Sequence, residues 1–250
     1  MTLVVALACT DGVILASDSQ ATESEGDIKF DMEKVFQLSA RSVAGMSGAG
    51  QLITEIRAEL EGARDMLNAT PAMGTSLQSL IGPVLQKHYQ PFIQVVPGLP
   101  PASPATSFLA AGCADDGTPW IIEVDPHCQY THYEERGFHA IGSGAGFAQL
   151  ANALMKHYEI KNRPLDHGRL IAYRVMRAAI DTAATGLGGD IQMWKVTAEE
   201  CHQFAQEEIR EIAMAVGAWE EVERDALDEF MTPADTEGDA EQMPPVVAEE

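Results

Sequence analysis

The first fifty residues hold the groups from which a hydrolase can be built. Thr2 directly follows Met1, and methionine aminopeptidases remove an initiator in front of a residue this small. A chain that begins at Thr2 carries an α-amino group and a β-hydroxyl on one residue. Such an amine titrates near ~7.7–8.0, so it accepts a proton at neutral pH where a lysine does not. Threonine served by its own amine is a recognised activated nucleophile. Asp18 and Lys34 supply a charge pair, and an ammonium beside a hydroxyl lowers the hydroxyl's pKa by charge attraction. Ser47-Gly48-Ala49-Gly50 breaks a strand and opens a helix, whose free N–H groups suit a developing oxyanion. The chemistry is acyl transfer. Each residue also has a plainer role: Thr2 as a strand former, Asp18 as a turn residue, Lys34 as a solvated surface cation and Gly48 as a turn glycine.

These groups need a scaffold that brings them to one place. Leu3 to Leu7 form a continuous apolar run, the pattern of a strand buried on both faces. Asp11-Gly12 is a hairpin signal, and Val13 to Ser17 return as its second strand. A polar loop with Glu23, Glu25, Asp27 and Asp31 leads to Lys34. Val35 to Leu38 and Val43 to Met46 make a second hairpin. Leu52, Ile53, Ile56, Leu60, Ala63 and Leu67 recur at helical spacing, and Pro71 ends that helix. A further helix is expected over Ser76–Tyr89, with a proline-rich loop at 96–104. Strands follow at Thr106–Cys113, Trp120–Val124, His127–Tyr133 and Phe138–Ile141. Two more helices are expected near Gly146–Glu159, with Phe147, Leu150, Leu154 and His157 on one face, and near Asp166–Ala183. A last strand spans Ile191–Val196, and an acidic helix occupies 198–230. Strand runs alternating with helix pairs predict an α+β fold, two antiparallel sheets stacked between helical layers. The expected divisions are a hydrolase domain at 2–197, an acidic helical extension at 198–231 and a disordered tail at 232–250.

Composition narrows the partners. Among 250 residues, 38 acidic and 16 basic side chains give a formal charge of −22, which a nucleic-acid backbone repels. Cys9, Cys113, Cys128 and Cys201 show no CxxC spacing and read as inert reduced thiols. The seven histidines lack ligand spacing, so no metal and no other cofactor is expected. No run approaches the roughly 18 apolar residues of a membrane span, and no charged segment precedes the apolar start. A soluble, cytoplasmic protein is expected.

Several motifs in one order carry a resemblance. They are the Thr after the initiator, S-D-S-Q-A-T at Ser17–Thr22, K-V at Lys34–Val35 and A-G-M-S-G-A-G at Ala44–Gly50. F-L-A-A-G…W-I-I-E-V-D-P from Phe108 to Pro126 and A-I-G-S-G at Ala140–Gly144 continue it. Over about residues 2–196 the chain resembles the proteasome β-subunit family, including the bacterial HslV peptidase. That resemblance implies the four-layer αββα sandwich of N-terminal nucleophile hydrolases. It makes Thr2 the catalytic threonine, Lys34 the lysine beside it and Asp18 the carboxylate that orients the lysine, with the Gly48 N–H as oxyanion donor. Ser143 corresponds to the serine that supports the terminal amine. Thr22 and Gly50 correspond to residues whose backbone binds an extended peptide as an added strand. Ala21, Met32, Phe36, Met46 and Thr54 correspond to the lining of the first specificity pocket, mostly apolar here, which implies cleavage after hydrophobic residues.

One departure stands out. The family places an aspartate and a serine three residues apart before a glycine. Here Asp181 precedes Thr185-Gly186 by four, or, counted from Asp181, Ala184 replaces the serine. The resemblance further implies a homo-oligomer of stacked rings enclosing the sites, peptides or unfolded proteins as substrates, and an ATP-dependent unfoldase as a feeding partner. The helices near 52–68 and 76–89 are candidate ring contacts. A catalytically weak or inactive ring subunit is the competing reading, favoured by the Asp181–Thr185 spacing. A small-molecule amidohydrolase on the same fold is a third, disfavoured by the apolar pocket.

Overall fold

The computed structural model describes residues 2–22, 28–64, 67, 73–93, 106–183 and 186–231. Strands β1 (Val4–Cys9) and β2 (Gly12–Asp18) form the first hairpin, buried along its length. A short hairpin follows from β3 (Gln20–Thr22) and β4 (Lys29–Asp31). Strands β5 (Val35–Ser39) and β6 (Ser42–Ser47) make the third, and helices α1 (Gly50–Gly62) and α2 (Met73–Ile93) come next. Strands β7 (Ser107–Cys113), β8 (Pro119–Val124), β9 (Tyr130–His132) and β10 (Phe138–Ile141) lead to α3 (Ala145–Leu154) and α4 (Leu165–Thr182). The described chain closes with β11 (Ile191–Val196), β12 (Cys201–Gln203) and α5 (Gln206–Met231).

Ten strands form two antiparallel five-stranded sheets, ordered β10-β1-β2-β11-β12 and β5-β6-β7-β8-β9. Alternation along each strand builds the layers. In β1, Val4, Ala6 and Ala8 face the second sheet and pack with Leu15, Val43, Leu109 and Ile121. Leu3, Val5 and Leu7 face the other way, against Ile171, Val175 and Met176 of α4. Phe36 and Met46 of the second sheet turn outward onto Leu52, Ile56 and Leu60 of α1 and Leu77 of α2. The result is the expected α+β sandwich of four layers, αββα. Burying each large apolar side chain contributes about 1.5–3 kcal/mol, and a β1 buried on both faces leaves no tolerance for a register slip.

The chain differs from its sequence expectation at several places: α1 ends at Gly62, short of the expected Leu67, and β9 covers only Tyr130–His132 of the expected His127–Tyr133. The polar loop after Asp18 contains the β3–β4 hairpin. Residues 201–203 are a strand on the edge of the first sheet, so the last helix starts at Gln206 and not near 198. Helix α3 stops at Leu154, followed by two short 3₁₀ turns. The tail 232–250 and the proline-rich loop lie outside the described residues. No helix among the described residues is long and apolar enough to cross a membrane.

Candidate active site

Topology explains why distant residues meet. In each of the hairpins β1–β2 and β5–β6, the first strand leaves the open end and the second returns to it. The hairpins stack across the inter-sheet core, so their open ends coincide. Thr2 enters β1, Asp18 ends β2, Lys34 enters β5, and Gly48 follows β6. Strand β10 runs antiparallel to β1, with Ile141 opposite Val4, and delivers Gly142-Ser143 to the same end. The backbone N–H of Thr2 donates to Ser143 Oγ at 3.2 Å. Gly142 must be glycine: its φ is 92°, and a β-carbon there would stand 2.2 Å from the Thr2 carbonyl oxygen and 3.3 Å from Ser47 Cβ. That double approach places the end of β6 beside Thr2. Gly48 has a φ of 139° and is exposed where the chain turns into α1.

Asp18 is fully buried. Its Oδ1 accepts from the Lys34 ammonium at 2.8 Å and from the Leu3 N–H at 2.9 Å, and its Oδ2 accepts from the Gly188 N–H at 3.4 Å. Lys34 Nζ also donates to the Gln20 carbonyl at 2.6 Å, and only 4% of its side chain is exposed. Such a pair holds a cation where no water competes for it, with a carboxylate tied to the residue after the threonine. Burial pushes the Lys34 pKa below its ordinary 10.5, and the Asp18 charge opposes that only in part. Between the lowered value and 10.5 the folded chain binds fewer protons than the unfolded one, so stability rises with pH across that window.

The residues expected to line the pocket or to bind the peptide backbone fall into two groups. Ala21 and Thr22 lie half-buried on β3, and Met32 follows β4, its N–H donating to the Ser19 carbonyl at 2.8 Å. Phe36 and Met46 are almost wholly buried against α1, whereas Gly50 and Thr54 are exposed on its first turns, Thr54 Oγ1 donating to the Gly50 carbonyl at 3.0 Å. Asp181 is exposed near the end of α4. It lies two residues past buried Ala179, about 200° around the helix from the face that packs on the sheet. Gly188, further along, is what this segment contributes to the cluster. Thr185 lies outside the described residues.

Two further residues at this end belong to none of the motifs above. Arg57 of α1 lays its guanidinium 4.9 Å from the Phe36 ring centroid and 3.7 Å from Glu33. Gln192 of β11 bonds to residues on both sides of Glu33. The alternation of I-Q-M-W-K-V marks Gln192 as a polar residue on the face of buried Trp194 and Val196, a pattern that flags an inter-sheet contact.

The Proteasome subunit family profile matches residues 2–95, the span that includes Thr2, Asp18, Lys34 and Gly48. The proteasome subunit beta of Streptosporangium roseum is 28% identical over 225 residues, covering 83% of this chain and 73% of that one. That of Stackebrandtia nassauensis is 28% identical over 238 residues, covering 87% and 78%. Over most of its length the chain is similar to these proteasome β-subunits. Solved structures agree on the fold. The helical assembly of the Anbu complex from Pseudomonas aeruginosa superposes with a TM-score of 0.71 at 14% identity. Anbu, the ancestral beta-subunit, from Yersinia bercovieri gives 0.70 at 15%. Each match covers 94% of this chain and 100% of the other. The likeness in fold thus extends past the matched profile into the C-terminal half.

Proposed function

We propose that this chain is a threonine-type endopeptidase whose nucleophile, Thr2, is exposed by removal of Met1 and works inside a chamber of assembled copies. The observation that carries the reading is the water-excluded Lys34–Asp18 pair at the open ends of two stacked hairpins, beside Thr2. A buried ammonium is costly unless paired, and perturbed buried charges of this kind concentrate at functional sites. The Thr2 hydroxyl attacks the peptide carbonyl, and its proton passes to the Thr2 amine, directly or through water. Lys34 stabilises the alkoxide by charge, and the Gly48 N–H meets the oxyanion. The amine then protonates the leaving amine as the C–N bond breaks, and water hydrolyses the ester with the same amine as base. Among the described residues β3 pairs with β4 alone, and Thr22 Oγ1 is buried there without a hydrogen-bond partner. Both features suit an extended peptide laid along β3 as an added strand, its side chain entering the apolar pocket.

Intact mass followed by an epoxyketone tests this directly, because closing the morpholine ring requires both the free amine and the hydroxyl of one residue. Loss of one methionine and a single covalent adduct are expected; a chain with Thr2 exposed that forms no adduct overturns the reading. An inactive ring subunit is the second reading, favoured by the exposure of Asp181, and the same experiment separates the two.

The pH dependence follows from the two titrating groups. The amine must be neutral, which places the acidic limb of kcat/KM near ~7.7–8.0. Lys34 must stay charged, and its pKa is lowered by burial. The alkaline limb is therefore expected below the 10.5 of an ordinary lysine. A pH–rate profile that stays flat through 10.5 would remove Lys34 from the mechanism.

Assembly finds support in α3. Its sequence AGFAQLANAL has no charge, yet Phe147, Leu150 and Leu154 are 40%, 62% and 73% exposed on one face. In a chain of net charge −22, copies repel except through such a surface. Leu150→Asp is expected to lower the assembly mass in sedimentation velocity, and an unchanged mass would exclude α3 from the contact. A closed chamber admits only unfolded chain, which makes an ATP-driven unfoldase a fitting partner, and the reduced thiols suit the cytosol.

A further inference from the structure

The geometry points to Gln192 as a positioning residue that sets Lys34 and Met32 together, coupling the cation of the site to its first specificity pocket. This inference rests on the peptidase reading above. Gln192 lies on β11 opposite Ser17 of β2, and its face of the strand looks across the inter-sheet space, as do Trp194 and Val196. Its Oε1 accepts from the Lys34 N–H at 3.0 Å and from the Ser17 hydroxyl at 3.4 Å. Its Nε2 donates to the Met32 carbonyl at 2.9 Å. Only one orientation of the carboxamide satisfies an N–H on one side and a C=O on the other, so the amide's placement is decided by its partners.

The three bonds span the segment that matters. One side chain holds the carbonyl of Met32 and the amide of Lys34, the two backbone groups flanking Glu33. Lys34 is therefore fixed at both ends: its ammonium by Asp18 and the Gln20 carbonyl, its backbone by Gln192. The Ser17 hydroxyl, next to Asp18 in β2, ties the same carboxamide to the strand that carries the counter-charge. Met32 is the residue that the resemblance assigns to the pocket wall, so a shift of this segment would move pocket and cation in one step. Gln192 touches no reacting atom in this scheme. It acts through Lys34 and Met32, and a misplacement of about 1 Å at such a distance from the chemistry costs on the order of 10²-fold in rate.

The test uses full-length protein with Thr2 confirmed exposed by mass, and three variants, Gln192→Met, Gln192→Glu and Gln192→Asn, on a fluorogenic panel differing in the residue before the cleaved bond. Gln192→Met keeps the length and removes all three bonds. Its kcat is expected to fall about 10- to 100-fold with a smaller change in KM. Its preference between large and small apolar residues should narrow, and its alkaline limb should move. In Gln192→Glu an ionised carboxylate still accepts from the Lys34 N–H but faces the Met32 carbonyl; once protonated it donates there. The ratio of its rate to that of the unsubstituted protein should therefore rise as pH falls through the carboxyl range, a rescue that loss of structure does not produce. Unchanged kcat, preference and alkaline limb in folded Gln192→Met overturn the inference. If that variant does not fold, a rate ratio for Gln192→Glu that is flat with pH, together with Gln192→Asn at full rate, does so. Should the unsubstituted protein prove inactive, the peptidase reading has failed, and amide exchange at Lys34 then judges the clamp alone: fast exchange in Gln192→Met is expected, and exchange as slow as in the parent overturns it.

Discussion

Asp18→Ala is expected to abolish peptidase activity and to lower stability together. The carboxylate is the acceptor for Lys34 Nζ, the Leu3 N–H and the Gly188 N–H, in a place without water. Removing it leaves a buried ammonium without its counter-charge, a change that costs about 3–5 kcal/mol, and the buried Leu3 amide loses its partner at roughly 1–3 kcal/mol where no water replaces it. For a chain of this size the lower figure alone corresponds to a fall in Tm on the order of 10 °C. The lysine escapes part of this penalty by losing its proton, which removes the positive charge the alkoxide needs. Asp18→Asn separates the two effects: it keeps an acceptor for the Leu3 N–H, so it should recover part of the stability and little of the activity. Thermal melts and single-turnover rates on both variants check this. A fully active Asp18→Ala would show that the pair is structural.

Thr2→Ala is expected to behave in the opposite way. The Thr2 side chain contributes no bond on which the described fold depends; its backbone N–H reaches Ser143 and its carbonyl accepts from the Gly144 N–H at 3.3 Å. Alanine keeps both. The melting temperature should stay within about 1–2 °C, since substitutions without a buried partner fall within about 0.5 kcal/mol. Turnover should drop by at least about 10⁴-fold, the scale seen when an activated nucleophile is deleted. Thr2→Ser, which retains amine and hydroxyl, should keep measurable turnover. Equal activity in Thr2→Ala would move the nucleophile elsewhere.

Much of the fold was legible because apolar runs and turn residues are local signals. Leu3 to Leu7, the Asp11-Gly12 turn and Val13 to Ser17 announce a hairpin buried on both faces, and Val35 to Met46 announce another. Once two hairpins are placed, the meeting of Asp18 and Lys34 follows from their shared open end. What could not be read is where neighbouring elements end. Phe147, Leu150 and Leu154 share a helical face, as their spacing says, but spacing does not tell whether anything covers that face, and among the described residues nothing does. The β12 strand is too short for periodicity to reveal, and it exists because Trp194 to Val196 offer an edge to pair with. Gln192 was invisible for a related reason. Its role lies in partners 158 and 160 residues away, so only the alternation of β11 hinted that its amide had to be satisfied inside. Asp181 shows the converse. Residue type marked it as a site candidate, and the turn of α4 points it outward.

The close wall of Gly142 against Thr2 has a practical corollary. The first residue is gripped by its carbonyl and by its nitrogen, which bonds Ser143 and is the amine that must be bare. An affinity handle fused ahead of Thr2 would therefore mask that amine, and a preparation made that way would look inert whatever the molecule's true capacity. Handles belong at the C-terminal end, and a silent sample is informative only once its leading residue has been weighed.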